Sequence, residues 1–157
     1  MTNTFLKKLH EKKQLQLTEP NENIKQSYIK KSDDYLDTAK LCLDNNKLEQ
    51  SISMSYYSMY YSMQALLYKT GIKCENHSAS IIILDLIYNL DNSKISFAKK
   101  ERIDKQYYVD FEVVKEDSRE LIKIAEEFNA KILAFISEIT NETIKEYRKK
   151  LREQIKT

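Results

Sequence analysis

Glycine and proline are nearly missing from this chain: Gly71 and Pro20 stand alone among 157 residues. Few sharp reversals can be built from such a composition, which favours long uninterrupted helices over a sheet with many hairpins. A single glycine also excludes the glycine-rich phosphate cradles, the P-loop and the dinucleotide fingerprint, whose backbone N–H groups must closely approach an anion. Histidine and cysteine are scarce as well, with only His10, His77, Cys42 and Cys74. Scattered in this way they fall short of the about four clustered ligands of a zinc site. The repeated Glu-x-x-His of helical di-iron proteins is absent too. No metal and no cofactor is therefore expected. No run approaches the roughly 18 apolar residues that span a bilayer, and MTNTFLKKLHEKK has no apolar stretch of signal-peptide length. The expectation is a soluble cytoplasmic protein with no membrane partner and two reduced thiols, Cys42 in the core.

Charge is plentiful by contrast, at 32% of residues, yet it nearly cancels to a formal net of +2. Its placement is uneven. Residues 141–157 hold six Lys/Arg against three Glu, and residues 1–20 hold four Lys against two Glu, so the stretch between them is net acidic. Basic ends on an acidic body hint at a polyanionic partner, although solvated helical ends would give the same pattern.

Residues 1–20 read as a charged arm or short helix carrying Phe5, Leu6 and Leu9, interrupted at Pro20. Asn21 or Asn23 can cap the next helix, where Ile24, Tyr28, Tyr35, Leu36, Ala39, Cys42 and Leu43 recur at helical spacing until Asp44-Asn45-Asn46. A helix from about Lys47 to Thr70 should end at Gly71, in the left-handed conformation that a helix C-terminus often requires. Its middle, SISMSYYSMYYSMQALLY, is apolar or small on almost every side. That predicts a central helix, buried inside the domain and against something else besides. Residues 72–76 read as a loop and Ser78–Leu90 as a helix. Ile81-Ile82-Ile83 would suit a strand, but no other segment offers the alternation of a strand partner. A charged helix over Ile95–Tyr108, a loop over Val109–Lys115 and an amphipathic helix from about Glu116 to Ile139 follow. Two courses are open at the end: Thr140 or Asn141 caps a separate basic terminal helix over 141–157, or the last helix simply continues.

Three stretches in this order resemble the small prokaryotic HEPN-domain proteins: ISMSYYSMYYSMQALLYKTGIKCENHSASIIIL, AKKERIDKQYYVDF and EDSRELIKIAEEFNAKI. The resemblance covers roughly Asn21 to Ile139. It implies an all-α, HEPN-like bundle of about five helices over 21–140, with extra basic helical segments at both termini. It also implies a homodimer with a cleft between protomers, for which Tyr57, Tyr61 and Tyr68 are the candidate interface residues. Many members are RNA endonucleases, often toxins paired with a nucleotidyltransferase-like partner, whose motif is an Arg followed after roughly four to six residues by His. Arg102 matches the Arg, but Tyr107 stands where His would, followed by Tyr108.

Metal-independent RNA cleavage needs a group that transfers protons near neutrality. A tyrosine with a pKa of about 10 is a poor base at pH 7, though it can donate a hydrogen bond. The expectation is thus binding of RNA, a nucleotide or a partner protein without efficient catalysis, unless Asp104 or His77 reaches the site. Arg102 would clamp phosphate, and Arg102, Asp104, Tyr107 and Tyr108 would form the ligand site. A ribonuclease of toxin–antitoxin type with an altered acid/base group, for which Arg102 and Tyr107 are the catalytic candidates, is the alternative. A third possibility is an adaptor whose basic terminal helix, with Arg148, Lys149, Lys150 and Arg152, contacts a partner. Structural readings stand beside these. Arg102 could form an ion pair with Asp104 or Glu101, the tyrosines could be packing residues, and His77 could tie a loop to a helix N-terminus.

Overall fold

A computed structural model describes residues 2–107, 109 and 112–156. The described chain forms seven helices, α1 (Thr2–Glu11), α2 (Glu22–Asp44), α3 (Leu48–Thr70), α4 (His77–Leu86), α5 (Ser93–Tyr107), α6 (Lys115–Ser137) and α7 (Asn141–Ile155), and two short strands, β1 (Leu15–Leu17) and β2 (Ile72–Cys74). It is an all-α bundle. Among the described residues no helix is long and apolar enough to cross a membrane.

α3 is the central element, packed by α2, α5 and α6. Its serines explain how it can be enclosed. Being small, they let neighbouring backbones come close, and most of their hydroxyls find a partner in a hydroxyl, a carbonyl or a side-chain amide, the buried Ser55 Oγ having none among the described residues. Ser32 of α2 donates to the Ser58 carbonyl at 2.7 Å, and Ser58 returns a bond to the Ser32 carbonyl at 2.7 Å. Ser51 donates to the carbonyl of Ala39 at 2.8 Å. On the α6 side, Ser62 donates to Asn129 Oδ1 at 2.8 Å and Asn129 Nδ2 donates to Ser58 Oγ at 2.9 Å. Tyr56, Met59, Met63, Leu66 and Leu67 fill the remaining volume of the core.

Helix boundaries follow local chemistry. Asn21 caps α2 by accepting the Ile24 N–H, and Asn76 caps α4 by accepting that of Ala79. Gly71 ends α3 at φ 74°, as expected. The triple isoleucine is helical, within α4. α4 begins at His77, and it ends at Leu86, short of the expected Leu90, because Asn89 turns the chain at φ 55°. Thr140 and Thr143 cap α7 reciprocally, which makes the terminal helix separate from α6.

Three features differ from the sequence reading. Residues 72–74 are not a loop: they pair antiparallel with β1, Leu15 opposite Cys74 and Leu17 opposite Ile72. Cys74 is the buried cysteine, whereas Cys42 is only half-buried. The terminal segments also share the bundle's core, into which Leu6, Leu9, Leu15, Leu151 and Ile155 are buried. α1 lies against α7. Arg148 Nη1 secures this end of the molecule by donating to the carbonyls of Thr18 (2.6 Å), Gly71 (2.8 Å) and Thr70 (3.2 Å).

Candidate functional site

Three elements converge around Arg102. On α5, Lys99, Arg102 and Gln106 follow the i, i+3, i+7 spacing that keeps side chains on one helix face. α3 presents Ser53, Tyr56, Tyr57 and Tyr60 by the same spacing. The N-terminal turn of α4 brings His77 and Ser78.

The guanidinium of Arg102 lies against two tyrosine rings, with Cζ 5.3 Å from the centroids of both Tyr56 and Tyr57. Its Nη1 donates to Tyr57 Oη at 3.2 Å and to Gln106 Oε1 at 3.3 Å, and Gln106 Oε1 also accepts from Ser53 Oγ at 3.3 Å. Arg102 Nε is buried and meets no acceptor among the described residues. Lys99 Nζ donates to Ser78 Oγ at 2.5 Å. Neither cation forms an ion pair among the described residues, so the expected bridge from Arg102 to Asp104 or Glu101 is not made.

His77 completes the cluster. Its ring stacks on Tyr60 at 3.9 Å with 9° between planes, and Nδ1 shares a 2.8 Å hydrogen bond with Tyr56 Oη. Burial, followed by the nearby charges of Arg102 and Lys99, holds its pKa below the ordinary histidine value, so the ring is neutral at physiological pH. Lys99 is pushed down as well, by burial and then by Arg102. Burial drives the Tyr56 and Tyr60 hydroxyls up, which keeps them protonated. His77 therefore does more than tie a loop to a helix N-terminus, since Tyr56 orients its ring.

The other candidates are placed differently. Asp104 is half-buried two residues beyond Arg102, about 200° round the helix and on another face. Tyr107 closes α5 and is 64% exposed. Tyr108 lies outside the described residues. Tyr57, Tyr61 and Tyr68 run along one side of α3, each partly exposed, and α2 packs there. Tyr28 stacks on Tyr61 (5.8 Å) and on Tyr68 (5.5 Å), while Tyr35 meets Tyr61 at 5.0 Å and Tyr57 at 6.1 Å. Sequence reasoning missed Lys99 and Gln106, which the i−3 and i+4 positions from Arg102 would have given, and it missed Ser78 and the part played by Tyr56.

The HEPN domain model matches residues 26–135, which spans α3, α4, α5 and most of α2 and α6. The chain belongs to the HEPN family. The match takes in the tyrosine-rich α3, the turn at Gly71, the start of α4 at His77 and the Arg-bearing α5. Two relatives carry the same descriptive name. A UPF0332 protein of Thermotoga maritima is 31% identical over 107 residues, covering 68% of this chain and 77% of that protein. A UPF0332 protein of Pyrococcus horikoshii is 41% identical over 61 residues, covering 39% of this chain and 43% of that protein, less than half its length. α1, β1 and α7 lie outside the HEPN match.

Proposed function

We propose that this HEPN protein binds RNA through its phosphates at the cluster of Arg102, Lys99 and His77, acting as a homodimer and without efficient cleavage. One observation carries the reading: two cations and a neutral imidazole crowd together with only neutral partners around them. Burial first, and then that crowding of charge, depresses the pKa values of Lys99 and His77. A phosphate would relieve it and give the buried Arg102 Nε an acceptor. A shallow depression of about 210 Å³ lined by Glu49, Gln50, Ser53, Met54, Tyr57 and Gln106, the last two of which bond Arg102, offers room for a sugar or base. The partly exposed edges of Tyr57, Tyr61 and Tyr68 provide the surface for a second protomer, and because Tyr57 also bonds Arg102, such an interface borders the site. Free Cys42 and Cys74 suit the reducing cytoplasm. A nucleotidyltransferase-like partner remains the protein partner implied by the family's toxin–antitoxin pairs.

Binding of a labelled single-stranded RNA to Arg102→Ala tests this. Affinity should fall at least about tenfold, the loss of a charge-assisted contact, with helical content unchanged. Unchanged affinity would overturn the assignment.

His77 supports a second reading, metal-independent cleavage. A neutral imidazole held by Tyr56 beside Arg102 is a workable acid/base group, which the exposed Tyr107 is not. Under this reading, structured RNA is cut in the presence of EDTA, expression inhibits growth, and both effects vanish in His77→Gln and in Arg102→Ala. Robust cleavage of that kind would replace the binding reading.

A further inference from the structure

The two basic chain ends, far apart in sequence, form one surface. Leu6 and Leu9 of α1 and Leu151 and Ile155 of α7 point into the core, and the helices lie side by side. Lys145, Lys149, Arg152 and Lys156 fall at i, i+4, i+7 and i+11, a single stripe about 16 Å long at the helical rise, and all four are exposed. Glu146 and Glu153 sit one position round, on the neighbouring stripe with Lys150. α1 adds exposed Lys8, and exposed Lys12 follows one turn on, just past the helix end. His10, Leu17, Arg152, Ile155 and Lys156 line a depression of about 390 Å³ where the two ends meet, with an apolar floor and a basic rim.

Elsewhere, five lysines find carboxylates, Lys25 and Lys69 with Glu22, Lys30 with Asp34, Lys40 with Glu126 and Lys73 with Glu75, while others among the described residues, such as Lys47, Lys115, Lys123 and Lys131, stand singly and scattered. Among the described residues, no cation of α1 or α7 forms an ion pair, although α7 contains three glutamates of its own. An array of unpaired cations on a body otherwise net acidic fits a polyanion. The choice between nucleic acid and an anionic bilayer follows from the side chains beside the stripe. A membrane-seeking helix exposes large apolar residues next to its cations. None of the exposed large hydrophobic residues, Ile24, Leu41, Leu86, Phe97, Tyr107, Val109, Val114 and Leu133, lies on α1 or α7.

We infer that the α1/α7 surface is a nucleic-acid-binding face, appended to the HEPN bundle and separate from the Arg102 cluster. The α7 stripe tracks the phosphates of a single strand, and the depression holds a nucleotide against Leu17 and Ile155. Taking α3 as a ruler, Tyr56 beside Arg102 and Thr70 beside Arg148 are 14 residues apart, about 21 Å of helix, so one strand can reach both places.

The test uses the whole chain and a fluorescein-labelled single-stranded RNA of mixed sequence, titrated over a series of salt concentrations. Combining Lys145→Gln, Lys149→Gln, Arg152→Gln and Lys156→Gln should weaken binding at least about tenfold and flatten the slope of log affinity against log salt by about 3, since each phosphate contact on a single strand contributes roughly 0.7. Neutralising four exposed lysines elsewhere, Lys47, Lys115, Lys123 and Lys131, should change the slope by far less. Arg102→Ala separates this inference from the proposed site: it should weaken binding while leaving the stripe's share of the slope in place. An unaltered slope in the quadruple variant, an equal effect from the control set, or binding to phosphatidylserine vesicles without RNA binding each overturns the inference.

Discussion

His77 shows how one side chain can link the site to stability. In the unfolded chain its imidazole titrates at about 6.5. In the fold, burial and the charges of Arg102 and Lys99 hold its pKa lower. Between those two values the unfolded chain binds the proton and the native state does not, so stability falls as pH drops below 6.5 towards the native pKa and is fully present above it. Melting curves from pH 7 down to about 5 should show this loss, and His77→Gln should make the slope shallower. An identical slope in the variant would show that His77 does not titrate in this way. A bound phosphate beside the ring should raise its pKa, so RNA binding by the wild type should take up a proton. Of this cluster, Arg102 was singled out in the sequence through the resemblance to the HEPN motif. The pairing of His77 with Tyr56 was not, because it joins positions 21 residues apart on different elements.

At the scale of elements, the end of α3 is held by two unlike residues. Gly71 has φ 74°, and a Cβ there would run into Arg148 Nη1 and the Thr18 carbonyl. Gly71→Ala therefore meets both backbone strain and a clash against backbone, and should cost about 2–4 kcal/mol in denaturant unfolding. Arg148→Met takes a donor from three carbonyls, of which that of Gly71 still accepts the Thr18 N–H, and should cost about 2–3 kcal/mol. Helix identities were legible wherever an apolar face recurred over several turns, as in α2, α3 and α6. The β1–β2 ribbon was not, because each strand is only three residues long and its partner lies more than fifty residues away. Gly71 was read correctly as a cap. Its second role, leaving room for Arg148, depends on a contact 77 residues distant.

For the molecule as a whole, the basic ends looked like appendages because their charge is conspicuous and their leucines are few. Those few leucines are the ones buried. Truncation after Thr140 therefore removes Leu151, Ile155 and the Arg148 contacts as well as a basic surface. It should lower thermal stability markedly and expose α1, where removal of a mere tail would leave the melting temperature unchanged. Dimer formation belongs to this scale too. Light scattering at micromolar concentration should give twice the mass of the chain, and Tyr61→Glu should shift it towards the monomer. A monomeric wild type would remove the proposed interface.

The Arg148 contacts also constrain the order in which the chain can mature. They join residues 130, 78 and 77 positions apart, and α7, which carries Arg148, also packs on α1. As the polypeptide leaves the ribosome, α2 to α6 can pack around α3, while Leu6 and Leu9 await α7 and the carbonyls of Thr18, Thr70 and Gly71 remain open to water. Through that interval α1 holds out an apolar face flanked by lysines, a form well suited to capture by a chaperone and one that the finished molecule no longer presents.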